Sequence, residues 1–353
     1  MTKHLGVHPD FRLNGVSYDA DDLSNHADTL SQSSDLLQKE LGFFLTDWLS
    51  DSNTIALHTS GSTGAPQQII ADKSKLIASA EATIAFLNLK PKQTALLCLP
   101  LKYIGGKMML IRAMVVGLWI DVVSPTANPF QSVDCYDFSA VTPYQLQNSL
   151  PDLQKIKQLL VGGAPVSPVL GKAVKGCDTD IYETYGMTET FSHVALKNLS
   201  KDESSFSALP GVSFDTEDEC MVVYAPHLSD KPFKTNDVVE LISDNRFVWS
   251  GRADHVINSG GVKLHPEQIE KQLSKLFDVP LMVFGMPDAA LGQSLAVVFE
   301  GSFPKDASQT IKNTDLLTRY EKPKNFYCLS QFVRRNDKLI RHKTIEELQI
   351  EGL

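Results

Sequence analysis

Residues 59–66, Thr-Ser-Gly-Ser-Thr-Gly-Ala-Pro, mix glycines and hydroxyl side chains between two apolar runs. Glycine allows positive φ and close approach to a ligand, and successive backbone N–H groups can then converge on an anion. The hydroxyls add donors for phosphate oxygens. No Lys-Ser/Thr follows Gly64 and Pro66 opposes an immediate helix start, so this is not a Walker A loop. On its own the segment is either a phosphate site or a solvated linker.

A second candidate site is Tyr-Glu-Thr-Tyr-Gly-Met-Thr-Glu-Thr at 182–190. The ring of Tyr185 can stack on a nucleobase. The carboxylate of Glu189, placed beside phosphates, can hold Mg²⁺, an ion that is usually bound by one or two carboxylates together with substrate phosphates. The alternative is an amphipathic loop with a solvated glutamate.

Further polar residues and glycines stand in the C-terminal half where the chain is expected to turn. A single residue of this kind is usually solvated, so only the order of the whole series is informative. The series comprises Asp237 before a predicted strand, Arg252 and Asp254 at a predicted domain boundary, Gly260 and Gly261 in a second glycine turn, and Lys338 in a polar turn near the end.

The elements that must position these residues alternate between strands and helices up to about residue 206. Apolar spacing predicts helices over 33–50, 104–117 and 143–158, and one within 69–89 that begins after a cap at Asp72. Short β-rich runs predict strands between them. Such alternation predicts a mainly parallel α/β sheet, with ligands beyond the carboxyl ends of the strands.

The pattern changes after Phe206, where short strands with polar turns predict a small antiparallel subdomain. The predicted fold class is α/β: a large N-terminal domain with mainly parallel sheets flanked by helices plus this antiparallel subdomain, followed by a small mobile α+β C-terminal domain. The predicted domains are residues 1–252 and 253–353.

Composition narrows the functional class. The formal net charge of -9 disfavours a nucleic-acid binder. The five cysteines include no pair with zinc spacing, and an odd, scattered set is typical of a reducing cytoplasm. We see no signal peptide and no apolar run long enough to span a bilayer comfortably. These features predict a cytoplasmic protein that binds small molecules.

The ordered motifs resemble those of the adenylate-forming enzymes, a family that includes acyl- and aryl-CoA synthetases, luciferases and peptide-synthetase adenylation domains. The resemblance covers residues 54–345. The matching segments are 59–67 with the phosphate loop, 162–165 with the adenine motif, 185–189 with the magnesium motif, 235–237 with the ribose motif, 250–270 with the hinge, and 336–341 with the terminal lysine turn.

The sequence departs from the family pattern at several points. Gln67 stands where the phosphate loop usually ends in Lys, Asn236 replaces a Gly in the ribose motif, and Asp337 replaces the Gly before the lysine. We also expect this protein to be without the long leader that most members carry before the phosphate loop. We therefore expect part of the usual first subdomain to be absent or replaced by residues 1–50.

The resemblance implies two half-reactions: a carboxylate attacks the α-phosphate of Mg-ATP to give an acyl-adenylate and pyrophosphate, and a thiol, usually coenzyme A, then displaces AMP. The implied roles are phosphate binding by Thr59, Ser60, Gly61, Ser62, Thr63 and Gly64; adenine binding by Gly162, Gly163, Ala164, Pro165, Tyr185 and Gly186; ribose binding by Asp237 and Arg252; catalysis by Thr188 at the α-phosphate, Glu189 on Mg²⁺ and Lys338 in the transition state; a hinge at Asp254; and coenzyme A passage at Gly260 and Gly261.

The identity of the acid depends on residues 99–113, where the family builds its acyl pocket. Besides Tyr103, this segment carries Lys102, Lys107 and Arg112, which could pair with a second carboxylate. Alternatively, Lys102 and Arg112 snorkel from a helix. Ser192, just after Thr-Glu-Thr, resembles o-succinylbenzoate–CoA ligases of menaquinone synthesis.

We therefore predict an AMP-forming o-succinylbenzoate–CoA ligase that uses Mg²⁺, with ATP and coenzyme A as substrates. The alternatives are another aryl or small-acid CoA ligase and an acyl-adenylating enzyme that loads a carrier protein. The oligomeric state is open, with a homodimer as one option.

Overall fold

The computed structural model describes residues 7–58, 68–335 and 338–350. The chain divides into two compact units. The first unit comprises Met1–Val166, Ala173–Ser213 and Tyr224–Phe233, and the second comprises Ser167–Lys172, Phe214–Val223 and Lys234–Leu353. The predicted division into 1–252 and 253–353 stays a prediction.

Strands and helices alternate through residue 208, as the sequence predicts. In chain order the elements are β1 (Arg12–Leu13), β2 (Val16–Ser17), α1 (Ala20–Ser31), α2 (Leu36–Leu49), β3 (Thr54–His58), β4 (Gln68–Asp72), α3 (Lys73–Leu87), β5 (Thr94–Leu97), α4 (Ile104–Val116), β6 (Trp119–Val122), β7 (Tyr136–Val141), α5 (Pro143–Asn148), β8 (Ile156–Val161), α6 (Pro168–Val174), β9 (Asp180–Gly186), β10 (His193–Asn198) and β11 (Phe206–Ala208).

The first unit is built on a mixed sheet whose strands follow the order β11-β10-β9-β8-β7-β5-β6-β1-β2. The central strands, from β9 to β6, pair in parallel, whereas β10 and β11 continue the sheet antiparallel. The carboxyl ends of β5, β7, β8 and β9 therefore lie along one edge of the sheet, where an α/β protein places its ligands. The predicted parallel sheet is confirmed.

Helix α4 lies within the core of this unit. Every residue from Met108 to Met114 is buried, and the helix contacts α3. A helix that is apolar on all sides is expected to be enclosed by its neighbours. Arg112 is the charged member of this buried run, and that placement matters for the site.

The predicted helices differ from the structure in three places. The helix expected over 143–158 ends at Asn148 and is followed by a 3-10 turn (Leu150–Lys155) and by β8, because Pro151 cannot donate an intrahelical bond and the apolar run from Ile156 pairs with β7. Helix α1 was not predicted, since only Leu23 and Ala27 are buried in it. Asp72 stands at the cap position of α3 but makes no capping bond with its side chain.

Beyond residue 208 the chain forms mostly strands. The elements are β12 (Ser213–Glu217), β13 (Cys220–Tyr224), β14 (Phe233–Ser243), β15 (Arg246–Arg252), β16 (Ile257–Ser259), β17 (Val262–Leu264), α7 (Pro266–Leu273), β18 (Leu281–Asp288), β19 (Gly292–Glu300), α8 (Ala307–Asn313), β20 (Asn325–Leu329), β21 (Arg334–Arg335), β22 (Lys338–Leu339) and α9 (Arg341–Ile350). Strands β12 to β15 are neighbours in that order, and β21 and β22 form a hairpin.

A small sheet of order β17-β16-β19-β18, with β20 alongside β19, carries two apolar layers in the second unit. Side chains alternate between the faces of a strand. On one face Val283 and Val297 belong to an apolar cluster with Ile269 of α7, and on the other Phe284 and Val298 belong to one with Leu348 of α9. This α+β arrangement confirms the fold class predicted for the C-terminal region.

None of the helices in the ranges that the structure describes has the length and apolar character needed to cross a membrane.

Candidate active site

The predicted phosphate loop lies outside the described residues, and with it Thr59, Ser60, Gly61, Ser62, Thr63, Gly64 and Gln67. Its flanks are described. Strands β3 and β4 pair antiparallel, with Thr54 opposite Asp72 and His58 opposite Gln68. The pairing brings the two ends of the loop next to each other, and β4 leads directly into α3.

The two predicted adenine segments lie side by side at the ligand edge of the sheet. Gly162, Gly163, Ala164 and Pro165 follow β8, whereas Tyr185 and Gly186 end β9. Strands β8 and β9 are parallel neighbours, with Val161 opposite Glu183. Because the carboxyl ends of parallel strands meet at one edge, the structure brings these segments together.

A carboxylate that the sequence analysis missed fixes the segment after β8. Glu183 accepts a hydrogen bond from the backbone N–H of Val166 at 3.0 Å and pairs with Lys197, whose Nζ lies 2.6 Å from its other oxygen. Glu183 is buried. Its alternation with Ile181 on the strand was a signal in the sequence, since that spacing places Glu183 on the buried face and buried carboxylates need partners.

The chain then turns sharply at Gly186. A Cβ at this position would lie 2.4 Å from the carbonyl oxygen of Ser192, so a larger residue would force the backbone apart. The turn continues as a 3-10 helix over Thr188–Thr190, tied by the hydroxyl of Thr190, which donates to the same carbonyl oxygen at 2.8 Å. The close approach presents Glu189 at the surface beside the end of β9.

The exposed carboxylate of Glu189 and the half-buried Thr188 suit the chemistry predicted for them. Mg²⁺ prefers hard oxygen ligands and keeps several waters or phosphate oxygens. Within the described ranges, no group of three or more His, Cys, Asp or Glu side chains could hold a metal ion. An exposed carboxylate such as Glu189 fits a magnesium site that substrate phosphates would complete.

The residues predicted for the acyl pocket separate into exposed and buried positions. Lys102 is exposed, with its Nζ 5.0 Å from the ring centroid of Tyr103, the residue that precedes α4. Lys107 points inward and donates to the carbonyl oxygen of Ala56 at 3.2 Å. Burial lowers the pKa of Lys107, and the negative charge of Asp47 partly opposes this. Lys107 thus links α4 to the strand that leads into the phosphate loop.

Arg112 is 2% exposed and donates from Nη2 to the hydroxyl of Ser192 at 2.8 Å. Its Nε has no hydrogen-bond partner among the described residues. Burial alone lowers the pKa of Arg112, to about 9. Since snorkelling requires the charged group to reach water, the structure excludes it for Arg112 and permits it for Lys102.

In the second unit, the predicted ribose pair is held together. Asp237 and Arg252 stand opposite each other on β14 and β15, with Nη1 and Oδ1 3.9 Å apart. Arg252 also binds Asp254, the predicted hinge residue, through Nε at 2.9 Å and Nη2 at 3.1 Å. The hydrogen bonds from Arg252 outweigh partial burial and hold the pKa of Asp254 below its usual range.

Gly260 and Gly261 form the two-residue turn between β16 and β17, where Ser259 faces Val262. Their φ angles are +59° and +82°. A hairpin turn with positive φ at both central positions strongly favours glycine. The turn thus accounts for both glycines, and their predicted contact with coenzyme A stays a prediction.

Lys338 begins β22, opposite Arg335 of β21, and residues 336–337 between them lie outside the described residues. Two ion pairs that the sequence analysis missed hold the hairpin and the helix α9 that follows it. Glu300 accepts from Nη2 of Arg334 at 2.6 Å, and Arg341 donates to Glu270 at 2.7 Å. The carboxylate of Glu270 also accepts from the backbone N–H of residue 283 at 2.6 Å. The sequence offered one sign of the second pair: Glu270 directly follows Ile269, an apolar residue of the helix that packs into the core.

These elements agree with the comparison to known proteins. A sequence profile of AMP-binding enzymes matches residues 14–223, more than half of the chain. The chain belongs to the AMP-binding enzyme family.

Relatives and solved structures narrow the class. A 2-succinylbenzoate–CoA ligase of Listeria monocytogenes is 26% identical over 339 residues, which cover 86% of this chain and 72% of that protein. An acyl-CoA synthetase (AMP-forming)/AMP-acid ligase II-like protein of Dyadobacter fermentans is 34% identical, with a TM-score of 0.62, and the match covers 92% of this chain and 98% of that one.

The O-succinylbenzoate coenzyme A synthetase of Bacillus subtilis, solved with ATP and magnesium, has a TM-score of 0.68 at 19% identity, over 82% of this chain and 69% of that one. At this identity the likeness establishes the fold. Family, relatives and fold together support an AMP-forming acid–CoA ligase.

Proposed function

We propose that this protein joins an aryl dicarboxylic acid, o-succinylbenzoate, to coenzyme A through an acyl-adenylate, with ATP converted to AMP and pyrophosphate. In this proposal one carboxylate of the acid is activated and the other is bound by the protein. The product, o-succinylbenzoyl-CoA, is the thioester used in menaquinone synthesis. The relatives that carry this activity by name support the choice of acid.

The observation that carries the choice of a dicarboxylate is the buried guanidinium of Arg112. A buried charge is costly unless it is paired, and breaking such a pair is strongly destabilising. Burial is the sole cause of its lowered pKa, and its Nε lacks a partner in the described chain. The non-reacting carboxylate of the substrate would satisfy this cation. A plain fatty acid would leave it unpaired.

Lys107 would support Arg112 from the first turns of the same helix. Its ammonium is partly desolvated and donates to the carbonyl oxygen of Ala56. From this position it would add positive charge to the acyl pocket. Tyr103 and Ser192 would line the same pocket. Lys102, exposed at the helix start, would serve incoming substrate or coenzyme A through its charge.

For the nucleotide we propose the roles implied by the ordered motifs. Mg²⁺ held by Glu189 would shield the phosphates. The phosphate loop would bind the β- and γ-phosphates, residues 162–165 and Tyr185 would enclose adenine, and Asp237 with Arg252 would hold the ribose. Thr188 would contact the α-phosphate. The adjacency of β8 and β9 supports the adenine assignment.

In the first half-reaction a carboxylate oxygen attacks the α-phosphorus, and the bond to the oxygen that bridges to the β-phosphorus breaks. Lys338 would offset the negative charge that builds in that transition state. In the second, the thiol of coenzyme A loses its proton, attacks the acyl carbon and displaces AMP. Asp254 would be the hinge that changes the active conformation between the steps, and Gly260 and Gly261 would pass the pantetheine arm.

A pyrophosphate-release screen over candidate acids tests the proposal. The acids are o-succinylbenzoate, its monocarboxylate analogue lacking the carboxylate that is not activated, benzoate and a medium-chain fatty acid. We expect the dicarboxylate to give the highest kcat/KM. We also expect AMP to be released when coenzyme A is the only acyl acceptor present. A preference for a monocarboxylate would overturn the choice of acid, and AMP release only with a carrier protein would overturn the choice of acceptor.

The Lys338→Ala variant separates the half-reactions. We expect it to abolish pyrophosphate release while leaving thioester formation from supplied acyl-adenylate largely intact. Equal loss in both steps would contradict the role given to Lys338.

A further inference from the structure

A chain of hydrogen bonds runs from Arg112 to helix α3 and passes through a residue to which the proposed function gives no role. Arg112 binds the hydroxyl of Ser192 at 2.8 Å, and this hydroxyl lies 3.3 Å from Nδ1 of His193. Nε2 of His193 lies 3.0 Å from the hydroxyl of Thr83, which donates to the carbonyl oxygen of Ser79 at 3.3 Å. The chain is buried, apart from the partly exposed Ser192.

With its two ends fixed, the chain has a proton arrangement that satisfies every bond in it. A guanidinium can only donate and a carbonyl oxygen can only accept. Thr83 uses its single proton on Ser79, so its oxygen accepts from Nε2–H of His193. Nδ1 then carries a lone pair and accepts the hydroxyl proton of Ser192. This is one consistent arrangement, with His193 neutral and protonated on Nε2.

A protonated His193 does not fit the same surroundings. Burial lowers the pKa of His193 well below its usual range, and the positive charge of Arg112 lowers it further. A proton on Nδ1 would also face the hydroxyl of Ser192, which would then have to turn its own proton away. The neutral ring is therefore the form that the site holds.

We propose that His193 is a positioning residue for the acid: by accepting the only hydroxyl proton of Ser192, it turns the oxygen lone pairs of Ser192 toward Arg112 and fixes the guanidinium. The inference rests on the proposed function, in which Arg112 binds the second carboxylate. Ser192 then acts through Arg112 and has no proton left to donate to the substrate. Bonds in such a chain polarise one another, so the loss of one link weakens the next.

Two variants separate this role from simple filling of the core. In His193→Asn the amide oxygen can take the place of Nδ1 and accept from Ser192. In His193→Gln the amide can reach only the place of Nε2 and bind Thr83. The readout is the ratio of kcat/KM for o-succinylbenzoate to that for its analogue without the carboxylate that is not activated, with unfolding free energies measured alongside.

We expect the selectivity ratio to stay within about twofold of wild type in His193→Asn and to fall about three- to tenfold in His193→Gln, the range for one lost hydrogen bond. Equal losses in both variants, or losses that follow the unfolding free energies, would overturn the positioning role.

A spectroscopic readout tests the chain independently of activity. Long-range ¹H–¹⁵N spectra of ¹⁵N-labelled protein at pH 7 identify His193 among the nine histidines, because its signals vanish in both variants. In wild type these signals should have the pattern of the neutral Nε2–H tautomer. A signal from the Nδ1–H tautomer or from the imidazolium at this position would overturn the inference. If wild type activates no dicarboxylate, the proposed function fails while the tautomer measurement still decides the hydrogen-bond chain.

Discussion

Arg112 and Arg341 are both withdrawn from solvent, yet the protein treats their charges in opposite ways. Arg341, with a side chain 14% exposed, binds Glu270 at 2.7 Å and lies 3.9 Å from Glu267. Burial opposes its charge, but attraction to Glu270 outweighs burial and raises the pKa of Arg341. Arg112 has a serine hydroxyl as its bonding partner, and burial lowers its pKa.

The contrast distinguishes a structural charge from a functional one. Arg341 is neutralised within the second unit, where it joins α9 to α7 and steadies the strand that begins at Lys338. Arg112 carries a charge that the described part of the first unit does not balance. An uncompensated buried cation is costly, and in the function proposed above the non-reacting carboxylate of the substrate would pair with it.

The largest effect is expected from Arg341→Met. This change leaves Glu270 buried without its counter-charge, which should lower the free energy of unfolding by about 3–5 kcal/mol. Urea denaturation followed by circular dichroism measures it. In the double variant with Glu270→Gln, part of the loss should return, because neither partner is then a lone buried charge. A stability equal to wild type in Arg341→Met would remove the structural half of the comparison.

Arg112→Met should change stability little and activity strongly. We expect its unfolding free energy to remain within about 1 kcal/mol of wild type, because an uncompensated charge is replaced by an apolar side chain of similar length. Its kcat/KM for the dicarboxylate should fall about 10- to 100-fold, as for a lost charge-assisted hydrogen bond, and much less for the monocarboxylate analogue. Steady-state kinetics on both acids, with matched urea curves, decide the outcome. Strong destabilisation would make Arg112 structural.

The sequence predicts the sheet around Arg112 better than it predicts the burial of Arg112 itself. The order of motifs and the alternation of strands and helices give the parallel sheet and place residues 162–165 beside Tyr185, because these features depend on local patterns. The burial of Arg112 could not be predicted from spacing alone, because the same sequence is compatible with an arginine that snorkels to water and with one that is buried.

Contacts between distant residues escaped prediction altogether. The bond between Arg341 and Glu270 joins residues 71 apart, and that between Thr83 and His193 joins residues 110 apart. Such pairs are set by how elements pack, not by local periodicity. The phosphate loop at 59–67 and the turn at 336–337 lie outside the described residues, so their assigned roles stay predictions.

Lys107 offers an intermediate case that sharpens the comparison. Its ammonium is partly buried and bound to a backbone carbonyl rather than to a carboxylate. Lys107→Gln keeps a donor for Ala56 but removes the charge, so we expect KM for the dicarboxylate to rise about tenfold or less, with a smaller change for the monocarboxylate analogue. Lys90→Gln, at an exposed position to which the proposed function gives no role, is the control. Equal changes for both acids would make Lys107 a structural cation.

The smallest effect concerns pH and the histidine beside Arg112. The pKa of His193 is lowered in the folded chain, so below its unfolded pKa the unfolded chain binds the additional proton. Stability contributed by the neutral ring is therefore present above about pH 6.5 and lost as pH falls. Between pH 7 and pH 6 this should cost wild type about 0.7 kcal/mol more than His193→Asn, which lacks the titrating ring. Urea midpoints at the two pH values measure the difference. If the unfolding free energies of the two proteins changed equally with pH, folding would not lower the pKa of His193. The charge of Arg112 would then not be what keeps the ring neutral.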